Sequence, residues 1–225
     1  MVKDGYWYGL PLVLVAGGLF GFGLHWPGAF FWLGGCFFLV VAALVLNFFR
    51  DPEREIPTDP DAIISPADGR VVEIRDEDFE GRPVRRVSIF MSPLDVHVNR
   101  SPIAGTIRTV SYHPGTFRIA SEARASVENE QNVFTVAGDQ GVVVAKQIAG
   151  AVARRIVFWK TAGDAVARGE RVGLIKFGSR VDVLMEPGIE MRVKVGDRVQ
   201  AGASILAASV EDGQFLSITH EPITQ

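Results

Sequence analysis

Between Asp4 and Arg50 the chain carries no aspartate, glutamate, lysine or arginine. An uncharged run of this length cannot be wrapped by the rest of a 225-residue chain. A membrane-spanning helix needs roughly 20 apolar residues, and the run holds two such lengths, 5–24 and 29–49, separated by His25-Trp26-Pro27-Gly28. Proline and glycine punctuate that break, and the tryptophan suits a membrane interface. Residues 1–50 are therefore expected to form a transmembrane helical hairpin. A cleaved signal peptide would show a basic start, one shorter apolar core and a small-residue cleavage site, which two consecutive spans after Lys3-Asp4 do not match. Two crossings leave both flanks on one side. Lys3, Arg50 and Arg54 lie there and the turn has no positive charge, which places the remaining chain on the cytoplasmic side of the cell membrane.

Composition excludes several classes. Cys36, within the second span, is the only cysteine, so neither a disulfide nor a thiolate zinc cluster is available. The four histidines form no H-x-H or H-x-x-x-H pair, and no metal site is expected. A net charge of −3 argues against a nucleic-acid partner. Residues 51–61 are charged and proline-rich, a linker. In 62–225 short valine- and isoleucine-rich runs alternate with glycine and proline, the pattern of many short strands. The expected strands are 69–75, 83–91, 105–112, 132–136, 141–148, 152–158, 171–175, 181–185, 191–195 and 204–208, with a helix at 120–129.

This segment also repeats itself. Pro66-Ala67-Asp68-Gly69-Arg70-Val71 returns as Pro102-Ile103-Ala104-Gly105-Thr106-Ile107, with a looser third copy at Ile148-Ala149-Gly150-Ala151-Val152. Gly163-Asp164-Ala165-Val166-Ala167-Arg168-Gly169 returns as Gly196-Asp197-Arg198-Val199-Gln200-Ala201-Gly202. Both phrases resemble strand-turn signatures of the biotinyl/lipoyl carrier fold, so the fold class is mainly β, a sandwich or flattened barrel with an internal pseudo-repeat. A carrier module would present a lysine between two methionines. The corresponding Met185-Glu186-Pro187-Gly188-Ile189-Glu190-Met191 has none, which leaves the likeness as a fold analogy.

Chemistry enters with Phe177-Gly178-Ser179-Arg180, expected in a tight connection. A serine after glycine can turn its hydroxyl on the preceding carbonyl, because glycine lets the backbone adopt strained conformations. Attack makes an ester, and loss of the Ser179 α-proton eliminates the Gly178 carboxylate. The dehydroalanine left behind hydrolyses to a pyruvoyl group, a ketone that condenses with amines as pyridoxal phosphate does. Gly-Ser pairs are also ordinary turn residues. Three stretches join this one: Asp68 in Ser65-Pro66-Ala67-Asp68-Gly69, His97 in Met91-Ser92-Pro93-Leu94-Asp95-Val96-His97-Val98-Asn99-Arg100, and Asn129-Glu130. Asp-Gly is also a hairpin signal, and a histidine between valines is often a core residue, so each has a structural alternative.

Together with Tyr112-His113-Pro114-Gly115 and the hydrophobic hairpin, these phrases resemble the phosphatidylserine decarboxylase proenzymes, most closely the short forms of archaea and some bacteria. The resemblance covers most of the chain. It implies scission between Gly178 and Ser179 into a β chain (1–178) and an α chain (179–225), which remain together as a heterodimer. It also implies a covalent pyruvoyl group from Ser179 that needs neither pyridoxal phosphate nor metal. Phosphatidylserine in the membrane would be converted to phosphatidylethanolamine and carbon dioxide through a Schiff base. His97, oriented by Asp68, would serve maturation and protonation, and Arg100, Arg118 and Arg180 are candidates for the lipid phosphate. Longer members carry Leu-Gly-Ser-Thr at the cut and a second histidine where this chain has Arg100, so that histidine's role does not transfer. The competing readings are a pyruvoyl decarboxylase for a soluble amino acid and a membrane-tethered β adaptor that never cuts itself.

Overall fold

The computed structural model describes residues 1–26, 28–117, 128–150, 155–176 and 179–208. The apolar run forms α1 (Lys3–His25) and α2 (Ala29–Phe48), with mean hydropathies of 1.6 and 2.5, each long and apolar enough to cross a membrane. The helices pack through small residues, which let backbones approach closely. A Cβ on Gly9 would lie 2.4 Å from Leu46, and one on Gly35 would lie 2.5 Å from the Phe20 ring. Trp7, Leu14, Phe30 and Leu33 face outward, an apolar exterior suited to lipid.

The open end of the hairpin rests on the β domain. Val2 N–H donates to the Phe49 carbonyl at 3.1 Å, Lys176 Nζ lies 3.4 Å from the Asp4 carboxylate, and Phe48 and Phe49 pack on Leu174. Residues 51–61 form a strap bound along the domain. Asp51 pairs with Arg100 and Arg171, Arg54 pairs with Asp68, and the Arg168 guanidinium donates to the carbonyls of Pro57, Asp59, Pro60 and Ala62.

Among the described residues fourteen strands follow: β1 (Ala62–Ile64), β2 (Gly69–Phe79), β3 (Arg82–Met91), β4 (Val98–Arg100), β5 (Gly105–His113), β6 (Gln131–Gly138), β7 (Gly141–Ala149), β8 (Arg155–Phe158), β9 (Ala165–Val166), β10 (Arg171–Lys176), β11 (Ser179–Met185), β12 (Glu190–Met191), β13 (Arg198–Val199) and β14 (Ile205–Ala208). An antiparallel eight-stranded sheet in the order β13-β2-β3-β11-β7-β6-β5-β9 curls into a half-barrel. Two three-stranded sheets, β4-β10-β8 and β1-β14-β12, complete the domain. Ile63, Ile89, Ile103, Phe134, Val181 and Leu206 are among the core residues.

The internal repeat is present in three dimensions. Gly202 N–H donates to the Ser65 carbonyl as Gly169 N–H does to Ser101, and Gly196 N–H donates to Val71 as Gly163 N–H does to Ile107. The Ser65 and Ser101 hydroxyls each donate to the carbonyl two residues on, both at 2.7 Å. A Cβ on Gly69 or Gly105 would come within 2.2 Å of a carbonyl oxygen on the neighbouring strand, which is why both copies keep glycine there.

Three expectations change. Of 191–195 only Met191 lies in a strand; Arg192 N–H still donates to the Leu206 carbonyl, and beyond it Lys194 N–H is taken by the Asp197 carboxylate in a turn. Strands β1, β4, β9 and β13 are two or three residues long, too short to show an alternation. Ser179 opens a strand instead of sitting in a turn. Gly178, Arg118, His220, most of the 120–129 helix and the end of the third repeat copy lie outside the described residues.

Candidate active site

Strand β11 runs between β3 and β7, with Ser179 opposite Met91 on one side and Ala149 on the other. The two-residue period of a strand puts Ser179 on the same face as Val181, Val183 and Met185, all core residues. Its side chain is fully buried, and Oγ donates to Met91 Sδ at 3.3 Å. The preceding strand β10 ends at Lys176 in a different sheet.

His97 stands just before β4, which pairs with β10. Its carbonyl accepts from Ile175 N–H at 3.3 Å, so its backbone is tied to the strand leading to the Gly178-Ser179 pair. The ring is buried, with Nδ1 2.9 Å from the Asp95 carbonyl. A carbonyl can only accept, so Nδ1 carries the proton and Nε2 presents a bare lone pair. That Nε2 has no hydrogen-bond partner among the described residues. Burial pulls the imidazole from its ordinary 6.5 down to about 4; the Asp95 carbonyl and carboxylate oppose this, and the nearby Arg50 charge adds to it. Nε2 is therefore unprotonated at physiological pH.

Asp68 lies in the first-copy turn, which is joined to β4 by Arg100 N–H donating to the Pro66 carbonyl at 2.9 Å. Its Oδ1 accepts from Ala201 N–H at 2.7 Å and Oδ2 from Arg54 at 2.8 Å. Burial raises the carboxyl above its ordinary value, with Ala201 and Arg54 opposing. The quasi-equivalent turn holds the same backbone geometry with Ala104 in place of the aspartate, so this turn does not need a carboxylate to form. The expected orientation of His97 by Asp68 is not what forms: the Nδ1 partner is the Asp95 carbonyl, and Asp68 faces Arg54 and Ala201.

Beside Ser179 runs a line of buried amides that sequence reading missed. Asn132 donates to Gln147 at 2.9 Å and Gln147 to Asn99 at 2.9 Å. Asn99 in turn reaches Met91 Sδ at 3.9 Å, the sulfur that also meets Ser179. Three amides from β6, β7 and β4 satisfy one another, fixing the strands around the serine. Asn129 Nδ2 donates to the carbonyl of Ala149, the β7 partner of Ser179, at 2.7 Å. Two more residues were missed: Phe48, whose ring centroid is 4.2 Å from that of His97, and Arg54. Asn99 and Asn129 stood within quoted motifs, while the others come from segments distant in sequence.

Two of the three candidate arginines have internal partners. Arg180, on the opposite face of β11, is buried and bonds Asp182 and Ser88, each at 2.6 Å, and Glu73 at 3.2 Å. Arg100 reaches the Gly169 and Pro52 carbonyls and Asp51, clamping the strap. Among the described residues no group of three or more histidine, cysteine or acidic side chains is placed to hold a metal.

A family model described as phosphatidylserine decarboxylase matches residues 41–207. A phosphatidylserine decarboxylase proenzyme of Solibacter usitatus is 54% identical over 184 residues, covering 80% of this chain and 88% of its own length. The proenzyme of Salinibacter ruber is 48% identical over 193 residues, covering 82% and 85%. That of Burkholderia pseudomallei is 44% identical over 190 residues, covering 83% of each chain.

Proposed function

The chain belongs to the phosphatidylserine decarboxylase family, and from that membership we propose a self-processing, pyruvoyl-dependent enzyme that converts phosphatidylserine to phosphatidylethanolamine in phospholipid biosynthesis. One observation carries the reading: a fully buried serine hydroxyl heads β11 and meets the Met91 sulfur that Asn99 also reaches, two residues beyond an imidazole whose Nε2 has no partner among the described residues.

In this reading Ser179 Oγ attacks the carbonyl carbon of Gly178, and the amide nitrogen leaves as the free amine of an ester. His97 Nε2 takes the Ser179 α-proton, and the electron pair expels the Gly178 carboxylate. The resulting dehydroalanine takes up water and releases ammonia, leaving a ketone at the amino terminus of the α chain. Burial and the orphan Nε2 suit such a group, which needs a dry site and a proton carrier. The pyruvoyl ketone supplies an electron sink for decarboxylation. His97 returns a proton to the carbon that has lost carbon dioxide, and Asp68, whose carboxylate is engaged by Arg54 of the strap and by Ala201 N–H, is the candidate for assisting maturation. The β11 strand is hydrogen-bonded to β3 and β7 along its length, and Arg180 binds Ser88 and Glu73. These contacts hold the α chain (179–225) in the sheet of the β chain (1–178) after scission. Arg100 and Arg180 are occupied by internal partners, so neither is assigned the lipid phosphate.

The domain division is a hairpin at 1–50, a strap at 51–61 and a catalytic β domain at 62–225, on the cytoplasmic side. Lys3, Arg50 and Arg54 all lie at the end of the hairpin nearest the β domain, which supports that side. Intact mass spectrometry tests the proposal. It expects two chains, the smaller beginning at position 179 without an amine, and release of carbon dioxide from serine-labelled lipid. One uncut chain would leave a tethered β adaptor.

A further inference from the structure

We propose that Phe48, the last residue of α2, is a positioning residue of this site: its ring closes one face of His97 against water, so the membrane hairpin builds part of the site it anchors. The inference rests on the reading of His97 as the proton carrier. The two rings lie 4.2 Å apart between centroids, tilted by 36°. Phe48 is 4% exposed and packs edge-on against Phe49 and together with Leu174 of β10. Val45 of α2 and Val157 of β8 extend the same apolar wall.

This arrangement matters because His97 Nε2 is buried with no hydrogen-bond partner among the described residues, which costs free energy that a hydrogen bond or bulk water would otherwise recover. A hydroxyl or amide at position 48 could satisfy the ring and spend its lone pair. An aromatic face covers it and leaves the lone pair free for an incoming proton. Among the described residues two charged groups act on the imidazole. Asp95, from its own loop, favours the protonated form, and the Asp95 carboxylate is itself held by Ser92 N–H at 2.8 Å and by Arg198 at 3.4 Å. Arg50, two residues beyond Phe48, disfavours it and is fixed by a 2.7 Å bond to the Leu94 carbonyl. The end of the hairpin thus supplies both an apolar cover and a positive charge, and both keep Nε2 unprotonated.

The test uses the full-length Ser179→Ala chain in lipid nanodiscs, where it stays uncut and reads His97 independently of catalysis. Histidine-labelled protein is titrated by NMR, with His97 assigned from His97→Gln. Phe48→Ala is expected to move the His97 midpoint from about 4 toward 6.5, and Phe48→Leu, which retains an apolar side chain, to move it less. An unmoved His97 midpoint in both variants overturns the proposal, and Phe48→Leu keeps it falsifiable should Phe48→Ala fail to fold. With Ser179 restored, the acid limb of decarboxylation in Phe48→Leu should shift upward by the same amount. A moved NMR midpoint beside an unmoved acid limb would uphold the cover and remove His97 from the reaction, a failure of the functional reading alone.

Discussion

Acidification should strain this fold through one side chain. His97 is held at about 4 in the folded chain against an ordinary 6.5, so the unfolded chain binds the proton first. Stability from this group is full above about pH 6.5, falls as the pH drops toward 4, and levels off below that, where both states are protonated. The whole gap of about 2.5 units corresponds to about 3 kcal/mol at 1.36 kcal/mol per unit. Between pH 7 and pH 5, where the folded ring is still mostly neutral, about 2 kcal/mol of it is lost. The perturbation is His97→Gln in the uncut Ser179→Ala background, since glutamine can still donate toward the Asp95 carbonyl but does not titrate. Denaturant unfolding is measured at both pH values, and the quantity compared is the change with pH, which cancels any offset caused by the substitution. The histidine chain should lose about 2 kcal/mol more than the glutamine chain between pH 7 and pH 5. Equal losses in the two chains would mean that His97 is not desolvated, and the assignment of Nε2 as a neutral base would fall with it.

Ser179→Ala should leave one full-length inactive polypeptide on a denaturing gel, and cleavage that persists would place the cut elsewhere. Asp68→Ala should slow maturation or turnover while the far-UV spectrum stays native, because the quasi-equivalent turn folds with Ala104; unchanged rates of both would assign Asp68 to structure alone. Arg180→Met strips the fully buried Asp182 of its 2.6 Å guanidinium partner and should cost about 3–5 kcal/mol in unfolding free energy. A loss below about 1 kcal/mol would show that Arg86, 3.8 Å from Asp182, suffices. Gly69→Ala and Gly105→Ala each drive a methyl to 2.2 Å from a neighbouring carbonyl and should destabilise equally, by about 1–3 kcal/mol; unequal melting shifts would mean the two repeat halves are not energetically alike.

Much of this architecture could be read along the chain. The uncharged run foretells two helices long and apolar enough to cross a membrane, because hydrocarbon length is a local property of sequence, and the repeated Pro-x-x-Gly and Gly-Asp phrases mark two turns that fold alike because each phrase carries its own turn chemistry. Ser179 and His97 stood out for the same reason, as reactive residue types in short motifs. Tertiary structure decided the partners. Nothing near His97 in sequence says that Phe48 will cover it, and nothing near Asp68 says that Arg54 will bind it. Asn132, Gln147 and Asn99 meet only because β6, β7 and β4 converge. Arg100 and Arg180 read as phosphate ligands until burial gave them carboxylates and carbonyls of their own. Residue type and spacing set which reactions a chain can attempt. Desolvation and pairing, which set protonation and availability, depend on what the fold brings within a few ångströms.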